Sequence, residues 1–120
     1  MPAVIMIKLY GIPNCDSCRN ALKWFKAKGL SIELINLRET MPGKTQLKKW
    51  QKLAGWESLI NKRSATWRKI PEFDRQNTDA KSAIELMLAY PTVIKRPILE
   101  LEDQVILGFD SETYEPLKIK

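Results

Sequence analysis

The chain has 120 residues, 44% hydrophobic and 28% charged, with two cysteines, no histidine and a formal net charge of +6. That length fits one domain, 1–120, with a buried core, and no apolar run approaches the ~20 residues that span a bilayer, so no membrane partner is expected. The absence of histidine excludes Cys-His and Ser-His-Asp catalysis, and two cysteines in one C-x-x-C cannot staple distant parts of a fold. Redox or metal chemistry is left for them, and metal is disfavoured because a structural zinc site wants four ligands and only carboxylates remain beyond the two thiols.

Met1-Pro2-Ala3 has no charged region leading into a long apolar stretch, so no secretory signal is expected and the expected compartment is the cytoplasm. Ile5 to Tyr10 is apolar almost throughout, which predicts a strand buried on both faces and central in its sheet. A tight turn through Gly11-Ile12-Pro13-Asn14 leads to a helix from about Asp16 to Lys28. Its apolar face is Ala21, Leu22, Phe25 and Ala27, and Gly29 suits its left-handed end. Ile32 to Leu37 returns as a second strand, giving a βαβ unit with parallel strands and a right-handed crossover.

Cys15 stands where that helix opens, facing unpaired backbone N–H groups and the positive end of the helix dipole, so its thiolate is favoured. Cys18, three residues on, shares a helical face with it and lies within disulfide range, so it is placed to resolve a mixed disulfide formed at Cys15. Without histidine, the groups left to activate Cys15 are helix amides, arginine or lysine. Asn14 and Ser17 are placed to donate to Cys15 or to cap the helix around it. Arg19 turns away along the helix and reads as structural.

Residues 44 to 90 carry helix signals and no convincing strand. Leu47, Trp50, Leu53 and Ala54 recur at helical spacing before Gly55, and Trp56 to Ile60 is a short second piece. Asn61 to Arg75 reads as an irregular basic and aromatic loop holding Arg63, Ser64, Trp67, Arg68 and Pro71. Thr78 or Asp79 caps a helix whose stripe is Ala80, Ala83, Ile84, Met87 and Leu88, ended by Tyr90-Pro91. Ile98 to Leu101 and Val105 to Leu107 then flank Glu102-Asp103-Gln104 as a hairpin, and Asp110 caps a short last helix that Pro116 ends. The positive charge sits in the first half, largely in Lys23-Lys26-Lys28 and Lys44-Lys48-Lys49-Lys52. At helical spacing beside apolar residues these read as solvated faces rather than a nucleic-acid surface.

The order βαβ, helices, ββα, with a thiol at the first strand-to-helix turn, is what an α/β, thioredoxin-like fold gives. Four local words go further: Leu9-Tyr10-Gly11-Ile12-Pro13-Asn14-Cys15-Asp16-Ser17-Cys18, Asn61-Lys62-Arg63-Ser64 followed by Thr66-Trp67-Arg68-Lys69, Ile94-Lys95-Arg96-Pro97-Ile98, and Leu107-Gly108-Phe109. Together they resemble the arsenate reductase (ArsC)-like family that also contains the Spx regulators, most of all its YffB-like branch, across almost the whole chain. The resemblance implies a helical insertion at about residues 42–90 between the second and third strands, and a cis peptide at Arg96-Pro97 beside the cysteine.

The same resemblance implies a thiol-dependent oxidoreductase in which Cys15 attacks a small disulfide or an oxyanion. Arg63 and Arg96 would hold the anion, and Asn14, Ser17 and Pro97 would border the substrate. It implies glutathione as co-substrate, a small thiol or disulfide or a glutaredoxin-type reductant as partner, and no bound cofactor. The family's arsenate reductases carry a third arginine near the turn after the last strand. Here Leu107-Gly108-Phe109 offers none, which leaves a tetrahedral oxyanion two guanidinium groups instead of three. The alternative implied by the same family is an Spx-like redox-sensing regulator that binds RNA polymerase through a Cys15-Cys18 switch.

Overall fold

In a computed structural model that describes residues 7–101 and 104–116, four strands form one sheet: β1 (Ile7–Gly11), β2 (Ile32–Asn36), β3 (Ile98–Glu100) and β4 (Val105–Leu107). Their spatial order is β2-β1-β3-β4. β1 runs parallel to β2, with Ile7 opposite Ile32, and antiparallel to β3, which pairs antiparallel with β4. The expected central strand is therefore central, and Leu9 in its middle is fully buried while Lys8 reaches solvent. Ile5 and Met6 of that strand, and Glu102 and Asp103 of the expected hairpin turn, lie outside the described residues.

Helix α1 (Asp16–Ala27) makes the crossover from β1 to β2 and packs Ala21 and Phe25 against Ile7, Leu9, Leu99 and Tyr114. Gly29, at φ 69°, takes the left-handed conformation just past its end. Ala27 is exposed rather than on the apolar face, because two residues carry it about 200° around the helix from Phe25. The last helix, α7 (Ser111–Tyr114), starts at Asp110, whose carboxylate accepts from the Glu112 N–H at 2.9 Å, and it plugs Tyr114 into the same cluster.

Between β2 and β3 lie α2 (Lys44–Ala54), α3 (Trp56–Leu59), α4 (Ala65–Lys69), α5 (Glu72–Gln76), α6 (Ala80–Ala89) and a 3-10 turn at Pro91–Val93. This is the α/β arrangement expected from the sequence, with helices inserted between the second and third strands. The stretch expected to be irregular, Asn61 to Arg75, in fact holds α4 and the start of α5. Each has five residues, too few for a 3.6-residue period to show. Local caps set them instead: the Ser64 hydroxyl accepts from the Trp67 N–H at 3.1 Å, and α5 follows Pro71.

Asp79, not Thr78, caps α6, through reciprocal 2.8 Å bonds with Ser82. The Thr78 hydroxyl donates back to the Asp74 carbonyl at 2.8 Å. Ala83, Ile84 and Met87 enter the core, while Ala80 borders an open groove between α2 and α6. Leu53 is 41% exposed, because it sits about 120° around α2 from Leu47, whereas Ala54 stays nearly in line with Leu47. No helix among the described residues is long and apolar enough to cross a membrane.

The inserted helices are anchored to the sheet by one polar contact inside an apolar one. Trp50 is fully buried with its ring edge-on to Tyr10, centroids 4.8 Å apart, so its indole N–H must find a partner. It donates to Glu100 Oε2 at 2.6 Å, and Gln46 Nε2 donates to the same oxygen and to the Tyr10 hydroxyl, each at 2.7 Å. Replacing Glu100 by leucine strands that indole N–H. Glu100→Leu should lower unfolding stability by about 1–3 kcal/mol in urea titrations, and a loss under about 0.5 kcal/mol would contradict this anchoring.

Candidate active site

After β1 the chain turns through Ile12 to Asn14, and Cys15 becomes the N-cap residue of α1. Its backbone is extended (φ −141°, ψ 124°) and its carbonyl accepts from the Arg19 N–H at 2.9 Å. No side chain caps this helix end, so the first-turn N–H groups are left to the sulfur. Cys15 is half-buried, and burial alone pushes its pKa up. The Cys18 backbone N–H, the Cys18 thiol, the Arg96 charge and the Ser17 N–H outweigh that burial, and the net pKa falls below the ordinary thiol value.

Cys18 has the opposite fate. It is fully buried, and its sulfur sits over Gly11, where a Cβ would come within 2.5 Å of Sγ. Burial, with the Cys15 sulfur adding to it, drives the Cys18 pKa up to about 12, despite the Ile12 N–H and Arg96 acting the other way. The pair is therefore split, with the thiolate favoured at Cys15 by its donors and disfavoured at Cys18 by burial.

Arg96 reaches this pair from the loop before β3, where the Arg96-Pro97 peptide is cis and Pro97 is buried. The Pro97 carbonyl accepts from the Gly108 N–H at 2.8 Å, and the Arg96 guanidinium donates to the Thr92 carbonyl at 3.4 Å. That loop is stitched to the end of α3 by an antiparallel bridge, Ile60 to Ile94. The Lys95 N–H donates to the Leu59 carbonyl at 2.7 Å, and the Asn61 N–H to the Val93 carbonyl at 2.8 Å. Asn61 then bends the chain, its side chain accepting from the Arg63 N–H at 3.0 Å.

The bend brings the exposed Arg63 to the same cleft as Ser17 and Arg96, a space of about 930 Å³. Glu57, Lys62, Lys95, Asp110 and the Leu107-Gly108-Phe109 turn also line it. Asn14 is exposed in the turn and does not line this cleft, nor do the two cysteines or the buried Pro97, expected to border the substrate; Ser17 and Arg96 connect the cleft to the Cys15 sulfur. Arg19 pairs with Asp16 on the surface. Three contributors escaped the sequence reading: Gly11 under Cys18, the Thr92 carbonyl on Arg96, and Lys95. Lys95 had a signal in its adjacency to Arg96; the other two depend on contacts that no local pattern encodes. Among the described residues no three His, Cys, Asp or Glu side chains converge in a way that could hold a metal ion.

The pattern of the ArsC family matches residues 10–117. The solved YffB protein is 33% identical, with a TM-score of 0.87 over 92% of this chain and 96% of its own. An arsenate reductase (ArsC) related protein from Brucella melitensis is 36% identical, with a TM-score of 0.76 over 99% of this chain and all of its own. An uncharacterized protein of Haemophilus influenzae is 34% identical over 92% of this chain and 96% of its own. The Spx transcriptional regulators are similar but more distant.

The thiolate is the form that alkylates, so a lowered pKa moves the rise of reactivity to lower pH. Iodoacetamide should label Cys15 alone near neutral pH, with the rate reaching its plateau below the pH at which a free thiol does. Cys18 should stay unlabelled until pH approaches about 12. Arg96→Leu and Gly11→Ala should each move the Cys15 midpoint upward, the first by removing a positive charge and the second by displacing the Cys18 donor. Equal labelling of both thiols near neutral pH would contradict this assignment.

Proposed function

The chain belongs to the ArsC family, and from that premise we propose that it is a glutathione-dependent thiol reductase whose nucleophile is the Cys15 thiolate. The observation that carries the reading is the split pair: a half-buried Cys15 held below the ordinary thiol pKa beside a buried Cys18 held far above it, with Arg96 next to both. In the first step the Cys15 thiolate attacks one sulfur of a mixed disulfide between glutathione and a small thiol. A Cys15–glutathione disulfide forms, the old S–S bond breaks, and the small thiolate leaves and takes a proton from solvent. A second glutathione thiolate then attacks the glutathione sulfur, releasing glutathione disulfide and restoring the Cys15 thiolate. The net change is reduction of the mixed disulfide's small half to a free thiol and oxidation of one glutathione thiol to glutathione disulfide.

Cys18 serves this cycle as a hydrogen-bond donor to Cys15. Resolution by Cys18 would first require deprotonation of a buried thiol, which burial disfavours. Glutathione, or a glutaredoxin-type reductant in its place, does the resolving. Arg96 and Arg63 hold the substrate's carboxylates, the Ser17 N–H supports the sulfur, and the buried Pro97 acts behind them, through the cis peptide that places Arg96. A reducing, glutathione-rich compartment, the cytoplasm, suits such a cycle. Arsenate is the poorer substrate, because the turn after β4 adds no third arginine to the two in the cleft.

Turnover of a glutathione mixed disulfide and of arsenate should be measured side by side. Cys15→Ser should abolish disulfide turnover, Cys18→Ser should keep most of it because a hydroxyl still donates, and Arg96→Leu should lower kcat/KM by about tenfold or more. Arsenate should trail the disulfide. If the native protein turns over neither substrate above the Cys15→Ser background, the enzyme reading fails. In that case oxidation-sensitive capture of RNA polymerase would favour an Spx-like switch built on the same two sulfurs.

A further inference from the structure

The cleft beside the thiols carries more positive charge than its two arginines supply. Lys95 lines it together with Arg63 and Arg96. Its backbone is fixed by the 2.7 Å bond from its N–H to the Leu59 carbonyl. Its side chain is guided by the facing turn. Gly108 stands at φ 76°, and Lys95 Cε lies 3.7 Å from where a Cβ on that residue would be, so the aliphatic stem packs over the glycine and the ammonium borders the cleft.

Two other cations in the cleft have partners within the protein, though one bond leaves most of the Arg96 guanidinium for substrate. Lys62 rests over the Trp56 ring, 6.0 Å from its centroid, and Arg96 donates to the Thr92 carbonyl. Among the described residues neither Arg63 nor Lys95 has a salt-bridge partner. These two cations come from separate loops joined by the Ile60–Ile94 bridge. The cleft between them, about 930 Å³, suits an extended ligand rather than a compact tetrahedral ion. Its wall also presents two carboxylates, Glu57 and Asp110, which fit a ligand that carries an ammonium group as well as acids.

We propose that Lys95 is a substrate-binding residue that, with Arg63, pairs with separate carboxylates of an extended zwitterionic peptide disulfide, and so selects such disulfides over uncharged ones. The inference rests on the reading of Cys15 as a nucleophile toward disulfides, and its test separates the two. Affinity for glutathione disulfide is measured by NMR titration in a Cys15→Ser background, where no chemistry occurs. Adding Lys95→Gln should weaken binding by about threefold to fivefold at low salt, Lys95→Arg should restore it, and the difference should shrink as salt is raised. Lys48→Gln, exposed in the separate groove between α2 and α6, is the control and should change nothing.

In the otherwise native protein, Lys95→Gln should lower the ratio of kcat/KM for a glutathione mixed disulfide to that for bis(2-hydroxyethyl) disulfide by a similar factor. Binding unchanged by Lys95→Gln, or no binding of glutathione disulfide by the Cys15→Ser protein, would overturn the role of Lys95. Absence of turnover with either disulfide in the native protein would overturn the reductase reading instead, and the titration would still decide Lys95.

Discussion

Everything in the site follows from the cost of keeping a negative charge on one half-buried sulfur. Burial disfavours the Cys15 thiolate, and only a set of donors fixed in advance can reverse that. Two of those donors come from the first turn of α1 and are local. The third is the Cys18 thiol, which sits over Gly11 because that position has no side chain. The fourth is the Arg96 charge, delivered from the far end of the chain by the loop before β3. Holding that loop in place requires the inserted helices: the Ile60–Ile94 bridge clamps it to the end of α3, and the Trp50–Glu100 bond fastens α2 to β3. Fold and reactivity are thus one chain of contacts.

The same constraint separates the two sulfurs of a motif that looks symmetrical in sequence. A thiol whose burial outweighs the donors and charge near it stays protonated, and a protonated thiol beside a thiolate is a donor. What a C-x-x-C does therefore depends on which sulfur faces the helix amides and solvent and which faces the core. Here the first faces outward and the second inward. The arrangement favours a cycle in which an outside thiol completes the exchange.

Features set within a few residues were legible in the sequence. The central strand, the crossover helix ending at Gly29, the Asp110 cap and the place of Cys15 at the start of α1 all rest on local spacing and end chemistry. The two five-residue helices α4 and α5 were not legible, since they are shorter than two turns and are set by Ser64 and Pro71. Leu53 and Ala80 matched a helical stripe yet remain exposed, because periodicity marks a face without saying how far the neighbouring element reaches. Arg63 and Arg96 entered through family resemblance alone, being more than thirty residues apart in sequence. Their shared cleft is a product of the bridge at Ile60. Asn14, adjacent to the thiol in sequence, points the other lesson: adjacency did not bring it to the cleft.

The central claim, that Cys15 alone forms the covalent intermediate and an outside thiol resolves it, is most directly tested by trapping that intermediate. The intact protein is quenched in acid after mixing with one equivalent of glutathione disulfide and then weighed and mapped by mass spectrometry. The account predicts a single glutathione attached to Cys15, persisting until free glutathione is added. Rapid loss of that adduct to an internal Cys15–Cys18 disulfide without added thiol, or glutathione attached at Cys18, would contradict it.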